Sequence, residues 1–294
     1  MTGSGSASVD RLRGHVRALE GERHPDSSPA ALERAFVYGE TELGKLGLIV
    51  RRQPFEFAGR HFHNVVGVIP GTDPSAPRVL VGAHVDSVRG TPGADDNASG
   101  VAGVLECARL LAGIRPNATV ELVLFNLEEN QGWTYRVGSR RWADQARREG
   151  VRYQGAFVLE MIGYRTREPG SQVIPWPIRW MGLPTVGDYL AAVGDGQSQK
   201  LLRAFVAAQR EAAPDLRLVT LRSPLRGWLV WATRRSDNAS FWSRGYPALL
   251  ITDTANLRNP HYHRSSDRLE TLDLRFAAQV TDAVAACVRR LAGA

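Results

Sequence analysis

Residues 78–84 read RVLVGAH and are apolar without a break from Val79 to Ala83. A run this short and this continuous suits a strand buried on both faces, and such strands belong to parallel sheets covered by helices above and below. Three further apolar runs follow, TVELVLFN at 119–126, GAFVLEM at 155–161 and one at 247–252. Helical periodicity lies between and after them, over 97–112 with Asn97 or Ser99 as cap, over 136–148, and over about 273–292. Strands alternating with helices imply parallel βαβ units. Upstream, apolar spacing of three and four at Leu12, Val16 and Leu19, then at Leu32, Phe36, Leu43 and Leu46, predicts two helices within 8–47; LIVRRQPFEFAG and residues 64–69 read as strands. The expectation is an α/β fold: a single three-layer αβα domain over 1–294, with a mixed, mostly parallel central sheet and helices on both faces. Residues 163–232 break the rhythm with Pro175, Pro177, Pro184, Trp176 and Trp180, continue through a strand-helix unit, and end in RSPLRGWLVWATRRSD; they read as an insertion or embellished crossover.

Composition narrows the function. The 294 residues are 43% apolar and 23% charged, enough to bury one large core without disulfide or metal staples. The two cysteines, Cys107 and Cys287, lie far apart in helix-like apolar runs and read as buried thiols. The N-terminus has no apolar signal core and no window approaches a membrane span, so the expectation is a cytoplasmic protein without a membrane partner. The Asn-x-Ser/Thr triplets at Asn97, Asn117 and Asn238 read as coincidence. The net charge of +7 comes from arginines dispersed in ones and twos, a solvated surface and not a nucleic-acid footprint.

Ligands of open parallel sheets bind beyond the carboxyl ends of the strands, so the polar residues just past each strand carry the information. The first run ends in His84-Val85-Asp86, TVELVLFN leads into Glu128-Glu129, GAFVL ends at Glu160, and His263 follows the last strand by one loop; Asp95-Asp96 lies between the first strand and its helix. One such carboxylate is commonly a helix cap and one histidine a satisfied surface group. Several converging would repel one another and raise one another's pKa values, and a divalent cation holds them ionised economically. Mixed nitrogen and oxygen ligands without thiolate suit zinc, with manganese or cobalt as alternatives, and the number of ligands suggests two ions. Val85 lets His84 and Asp86 point the same way, so that Asp86 orients the imidazole.

The segments GAHVDS, PGADDNASGVAGVLECARLL, FNLEEN, LEM, RRSDNASFW and NPHYHRSSDRLETLD, in this order, resemble the zinc aminopeptidases of the M28 type. The resemblance implies two zinc ions per chain, one held by His84 and Glu160 and the other by Glu129 and His263, with Asp95 bridging. It makes Glu128 the general base, leaves Asp86 and Asp96 supporting the ligands, places Tyr262 where some members stabilise an oxyanion, and implies a cis peptide between Asp95 and Asp96. The implied reaction removes the N-terminal residue from a peptide or aminoacyl substrate. Two positions depart from the pattern: Glu160 stands where many members have aspartate, and Asn238 follows Asp237 where histidine is common. Glutaminyl cyclases share the fold and form one alternative, although they carry tryptophan directly before their last histidine, where this chain has Tyr262. A non-catalytic binding relative is the other, and it would require missing ligands. VGDGQSQK at 193–200 lacks the third glycine of a dinucleotide loop, and no GxSxG, HExxH or Walker sequence occurs.

Overall fold

The computed structural model describes residues 5–129 and 134–294. Two amphipathic helices open the chain, α1 (Val9–Leu19) and α2 (Pro29–Lys45). They are followed by β1 (Ile49–Phe57), β2 (Arg60–Ile69) and β3 (Arg78–His84). Then come α3 (Gly100–Leu111), β4 (Val120–Phe125), α4 (Val137–Arg148) and β5 (Tyr153–Glu160). The remainder supplies β6 (Leu190–Gly194), α5 (Gln199–Ala212), β7 (Leu218–Arg222), α6 (Asn238–Ser243), β8 (Ala248–Thr252) and α7 (Leu274–Leu291). All eight strands form one sheet in the order β1-β2-β4-β3-β5-β8-β6-β7. The centre, β4-β3-β5-β8, is parallel, as is β6-β7, while β1-β2, β2-β4 and β8-β6 are antiparallel. Segment 163–232 thus carries β6, α5 and β7, which extend the sheet at one edge.

Alternation along β3 sorts the core into two layers. Val79 and Val81 pack with residues of α1, α2, α3, α5 and α7, whereas Leu80 packs on the other face with Trp142 of α4 and with Phe241 and Trp242 of α6. Every residue of β4 and β8 is buried. Each large apolar side chain so buried contributes roughly 1.5–3 kcal/mol. The long closing helix starts where the Asp273 carboxylate accepts from the amides of Arg275 and Phe276 at 3.0 Å each. α4 begins hard against the turn after β4: a Cβ on Gly138 would lie 2.2 Å from the Asn126 carbonyl oxygen, so only glycine fits.

Arg23, in the link between α1 and α2, is 2% exposed. Its guanidinium donates to the carbonyls of Val85 and Gly21 at 2.7 Å, of Pro92 and Gly93 at 2.9 Å, and of Leu19. Burial lowers its pKa to about 10, against the pull of Asp267, Asp86 and Asp96, so it remains a cation at neutral pH. It ties the loop that carries Asp95 and Asp96 to α1. Arg23→Ala leaves several buried carbonyls without donors and is expected to cost about 3–5 kcal/mol. Thermal unfolding of the variant should show a midpoint lower by roughly ten degrees; an unchanged midpoint would refute this role.

Candidate metal centre

The parallel strands β3, β4, β5 and β8 end at the same edge, and there the polar residues converge. His84 is the last residue of β3, Glu160 the last of β5, and Glu128 and Glu129 follow β4. The Glu128-Glu129 turn is fixed from both sides. The Asp86 carboxylate accepts from the amides of Glu128 and Glu129, each at 3.0 Å. On the other side, the amides of Arg136, Val137 and Gly138 donate to the carbonyls of Glu128, Leu127 and Asn126. The His84 ring is set by the Asp86 main-chain carbonyl, 3.0 Å from Nδ1, while the carboxylate stands 3.7 Å away. Asp86 therefore orients the imidazole through its backbone, its side chain being committed to the glutamate turn.

The Asp96 carboxylate stands between two imidazoles. Its Oδ1 lies 3.3 Å from His84 Nε2 and its Oδ2 3.1 Å from His263 Nε2. Glu160 Oε2 is 3.3 Å from the same nitrogen of His84, and Glu129 Oε1 is 3.4 Å from the same nitrogen of His263. Ligand atoms of His84, Asp96 and Glu129 all fall within 4.8 Å of one another. The expected bridging residue, Asp95, is not part of this group. Its Oδ1 accepts from the Gly163 amide at 2.9 Å and its Oδ2 from the Asn259 side chain at 2.7 Å, so its oxygens are already held by amide donors in the protein interior. Across Ala94–Ser99 the backbone leaves helical geometry at Asp96 and Asn97, the two aspartates face different partners, and the cis peptide lies at Asp96-Asn97, one bond later than expected.

Charge at the cluster follows its burial. Burial, then the neighbouring carboxylates, raises Glu128 well above its ordinary value despite His84, and burial with Asp96 pushes Glu129 up to about 7. Burial opposes charge on both histidines, but Glu160 and Asp96 raise His84 well above 6.5, and Asp96 with Glu129 raises His263 to about 10. Asp96 is also buried, yet His263 and His84 hold it below the usual carboxylate range. Asp96 Oδ1 and Glu128 Oε1 are buried without a hydrogen-bond donor among the described residues. Protein donors thus leave part of the cluster's anionic charge uncompensated, which fits a divalent cation held by His84, Asp96, Glu129, Glu160 and His263.

Several supporting residues went unread in the sequence. Asp267 accepts from the amides of both Asp95 and Asp96, and burial raises it to about 7. Ser236 donates to Glu160 Oε2 at 2.5 Å. Asn259 donates to Asp95 Oδ2 at 2.7 Å, so with Asp267 it holds the aspartate pair and not His263 itself.

The cluster opens into a cavity of about 540 Å³. Asp96, Glu128, Glu129 and His263 line one end, and Val193, Leu221 and Leu250 from β6, β7 and β8 line the apolar remainder. Of the tryptophans in 163–232, Trp231 borders the cavity, while Trp176, Trp180 and Trp228 are exposed outside its lining. The Tyr262 ring stacks on His263 with centroids 3.7 Å apart, and its hydroxyl accepts from Arg235 at 2.9 Å.

The profile of peptidase family M28 matches residues 64–288. The chain belongs to that family. It is 35% identical over 289 residues to the uncharacterised protein YfbL of Escherichia coli (strain K12), covering 95% of this chain and 87% of YfbL. It is 26% identical over 245 residues to leucine aminopeptidase 1 of Trichophyton equinum, covering 78% of this chain and 58% of the fungal protein. Among solved structures, the fold is similar to a leucine aminopeptidase precursor of Bacteroides thetaiotaomicron, with a TM-score of 0.72 at 17% identity and coverage of 98% and 99%. It is also similar to the glutaminyl cyclase of Tannerella forsythia, with a TM-score of 0.70 at 20% identity and coverage of 97% and 99%. Among the described residues, no helix is long and apolar enough to cross a membrane.

Proposed function

We propose that the chain is an aminopeptidase that uses a dinuclear zinc site, with His84 and Glu160 at one ion, Glu129 and His263 at the other, and the Asp96 carboxylate shared. The observation that carries this reading is the position of Asp96, one oxygen near each imidazole. Zinc bound there would supply Lewis acidity to the scissile carbonyl and to the attacking water. Glu128 does the proton work. Its carboxylate removes a proton from the water as that oxygen bonds to the carbonyl carbon, then returns the proton to the amine nitrogen as the C–N bond breaks. The products are a free amino acid and a peptide shorter by one residue. Carboxylates lining the site would hold the substrate's α-ammonium group, confining cleavage to chain ends. The apolar part of the cavity, with Val193, Leu221, Leu250, Ile178 and Val230, suits a bulky apolar N-terminal side chain. The leucine aminopeptidases among its relatives agree with that preference.

The likeness in fold to a glutaminyl cyclase makes cyclisation the competing chemistry. Mass spectrometry of zinc-loaded protein incubated with leucyl and glutaminyl peptides separates the two. Release of free leucine is expected, with no ammonia lost from the glutaminyl peptide. Pyroglutamyl product with every leucyl peptide intact would replace the peptidase reading by the cyclase.

A further inference from the structure

Three arginines, Arg136, Arg234 and Arg235, line the same cavity as the carboxylates. Among the described residues none of them has a carboxylate partner within the 4.0 Å of an ion pair. Two are engaged by neighbouring groups: Arg136 donates to the Arg234 carbonyl, and Arg234 donates to the Arg226 carbonyl and to Ser243 Oγ while lying 4.2 Å over the Trp228 ring. Arg235 differs. It is exposed, and its two terminal nitrogens are steered by Asn256 Oδ1 and the Tyr262 hydroxyl, each at 2.9 Å. Both partners are neutral, so the guanidinium is oriented without its charge being matched. A fixed cation at a cavity mouth, with donors to spare, is built to receive an anion.

Position says which anion. The guanidinium carbon lies 5.6 Å from the centre of the Tyr262 ring, which stacks 3.7 Å from the His263 ring, so it stands within roughly 9 Å of that imidazole. At about 3.3–3.6 Å per residue of extended chain, this is the reach of one to three residues. The apolar cavity accounts for the N-terminal side chain, which leaves Arg235 for the part of the substrate beyond the scissile bond.

Resting on the aminopeptidase reading, we propose that Arg235 binds a carboxylate on the leaving side of the substrate, and that the preferred substrates are dipeptides and tripeptides bound by their C-terminal carboxylate. Arg235 is then a specificity-determining residue that touches substrate away from the reacting atoms. The neutral partners serve to aim it, and salt should weaken the preference because the contact is exposed.

The test compares kcat/KM for Leu-Gly, Leu-Gly-NH2 and Leu-Glu-NH2 with zinc-loaded wild type, Arg235→Gln and Arg235→Lys. Wild type should prefer Leu-Gly over Leu-Gly-NH2 by about tenfold or more. Arg235→Gln should bring that ratio close to one, and Arg235→Lys should restore part of it. A preference for Leu-Glu-NH2 over Leu-Gly-NH2 that Arg235→Gln also removes would show that a side-chain carboxylate serves as well. An acid-to-amide ratio near one in wild type, or a ratio unchanged in Arg235→Gln, overturns the proposal and leaves the aminopeptidase reading standing. Hydrolysis of none of the three peptides by the zinc-loaded protein overturns both.

Discussion

Glu128→Gln will lower kcat by about 10²–10⁴-fold while leaving zinc content and KM close to those of wild type. The substitution keeps the shape of the side chain and removes only its capacity to hold a proton. The main chain at this position is fixed independently of the side chain, by the Asp86 carboxylate on one side and the amides of Arg136 and Val137 on the other, so the turn should not move. Burial and the surrounding carboxylates raise this group well above the usual carboxylate range, so it is a stronger base than an exposed glutamate. Steady-state kinetics with elemental analysis of the same sample checks both halves. Loss of zinc with the loss of rate would assign Glu128 to the ligand set and withdraw its role as base.

The paired aspartates give the second large effect. Asp96→Asn should reduce zinc to less than one ion per chain after desalting and abolish turnover, because the group facing both His84 and His263 loses its charge. Asp95→Asn should retain both ions. It keeps one oxygen acceptor but presents an amide to donors on the Gly163 backbone and Asn259, so its expected cost is stability, about 1–3 kcal/mol. Zinc content and thermal unfolding of the two variants, side by side, test this. Metal lost from Asp95→Asn and retained by Asp96→Asn would restore Asp95 as the shared ligand.

That pair also marks where the sequence stops being readable. The strands β3, β4, β5 and β8 can be picked out because burial on both faces leaves a continuous apolar run, and the rule that parallel strands present their carboxyl ends to a ligand then gathers His84, Glu128, Glu129 and Glu160 without any coordinates. Which of two adjacent aspartates faces the imidazoles depends on an irregular turn at Ala94–Ser99 whose backbone leaves helical geometry at Asp96 and Asn97, and apolar periodicity carries no trace of it; the helix expected from 97 begins only at Gly100. The second layer is hidden for a different reason. Arg23 and Asp267 act on backbone groups more than sixty residues away in the chain, through contacts that any arginine or aspartate could make. The same strand-end rule brings in His263 one loop beyond β8, but the 3-10 and turn segments between β8 and α7 have no period from which to infer where its ring points. Strand β6 and the edge strand β7 lie inside a stretch whose prolines and tryptophans dominate its appearance, so that its strand-helix unit reads as part of an insertion, although β6 pairs directly with β8.

In the proposed function, the carboxylates and histidines at this sheet edge hold two metal ions required for peptide hydrolysis. Zinc titrated into chelator-treated protein, with hydrolysis of a leucyl dipeptide followed at each addition, tests it most directly. In the metal-free protein Glu129 is raised to about 7 by burial and by Asp96, and His263, against burial, to about 10 by Asp96 and Glu129, so zinc must displace protons from both, and affinity should rise about tenfold per pH unit for each proton displaced and continue to rise above pH 7. At pH 7.5 and protein concentrations above the dissociation constants, activity should be absent without metal and should reach its plateau at two equivalents per chain. Full activity in the metal-free protein, or a plateau reached at one equivalent, would contradict the account.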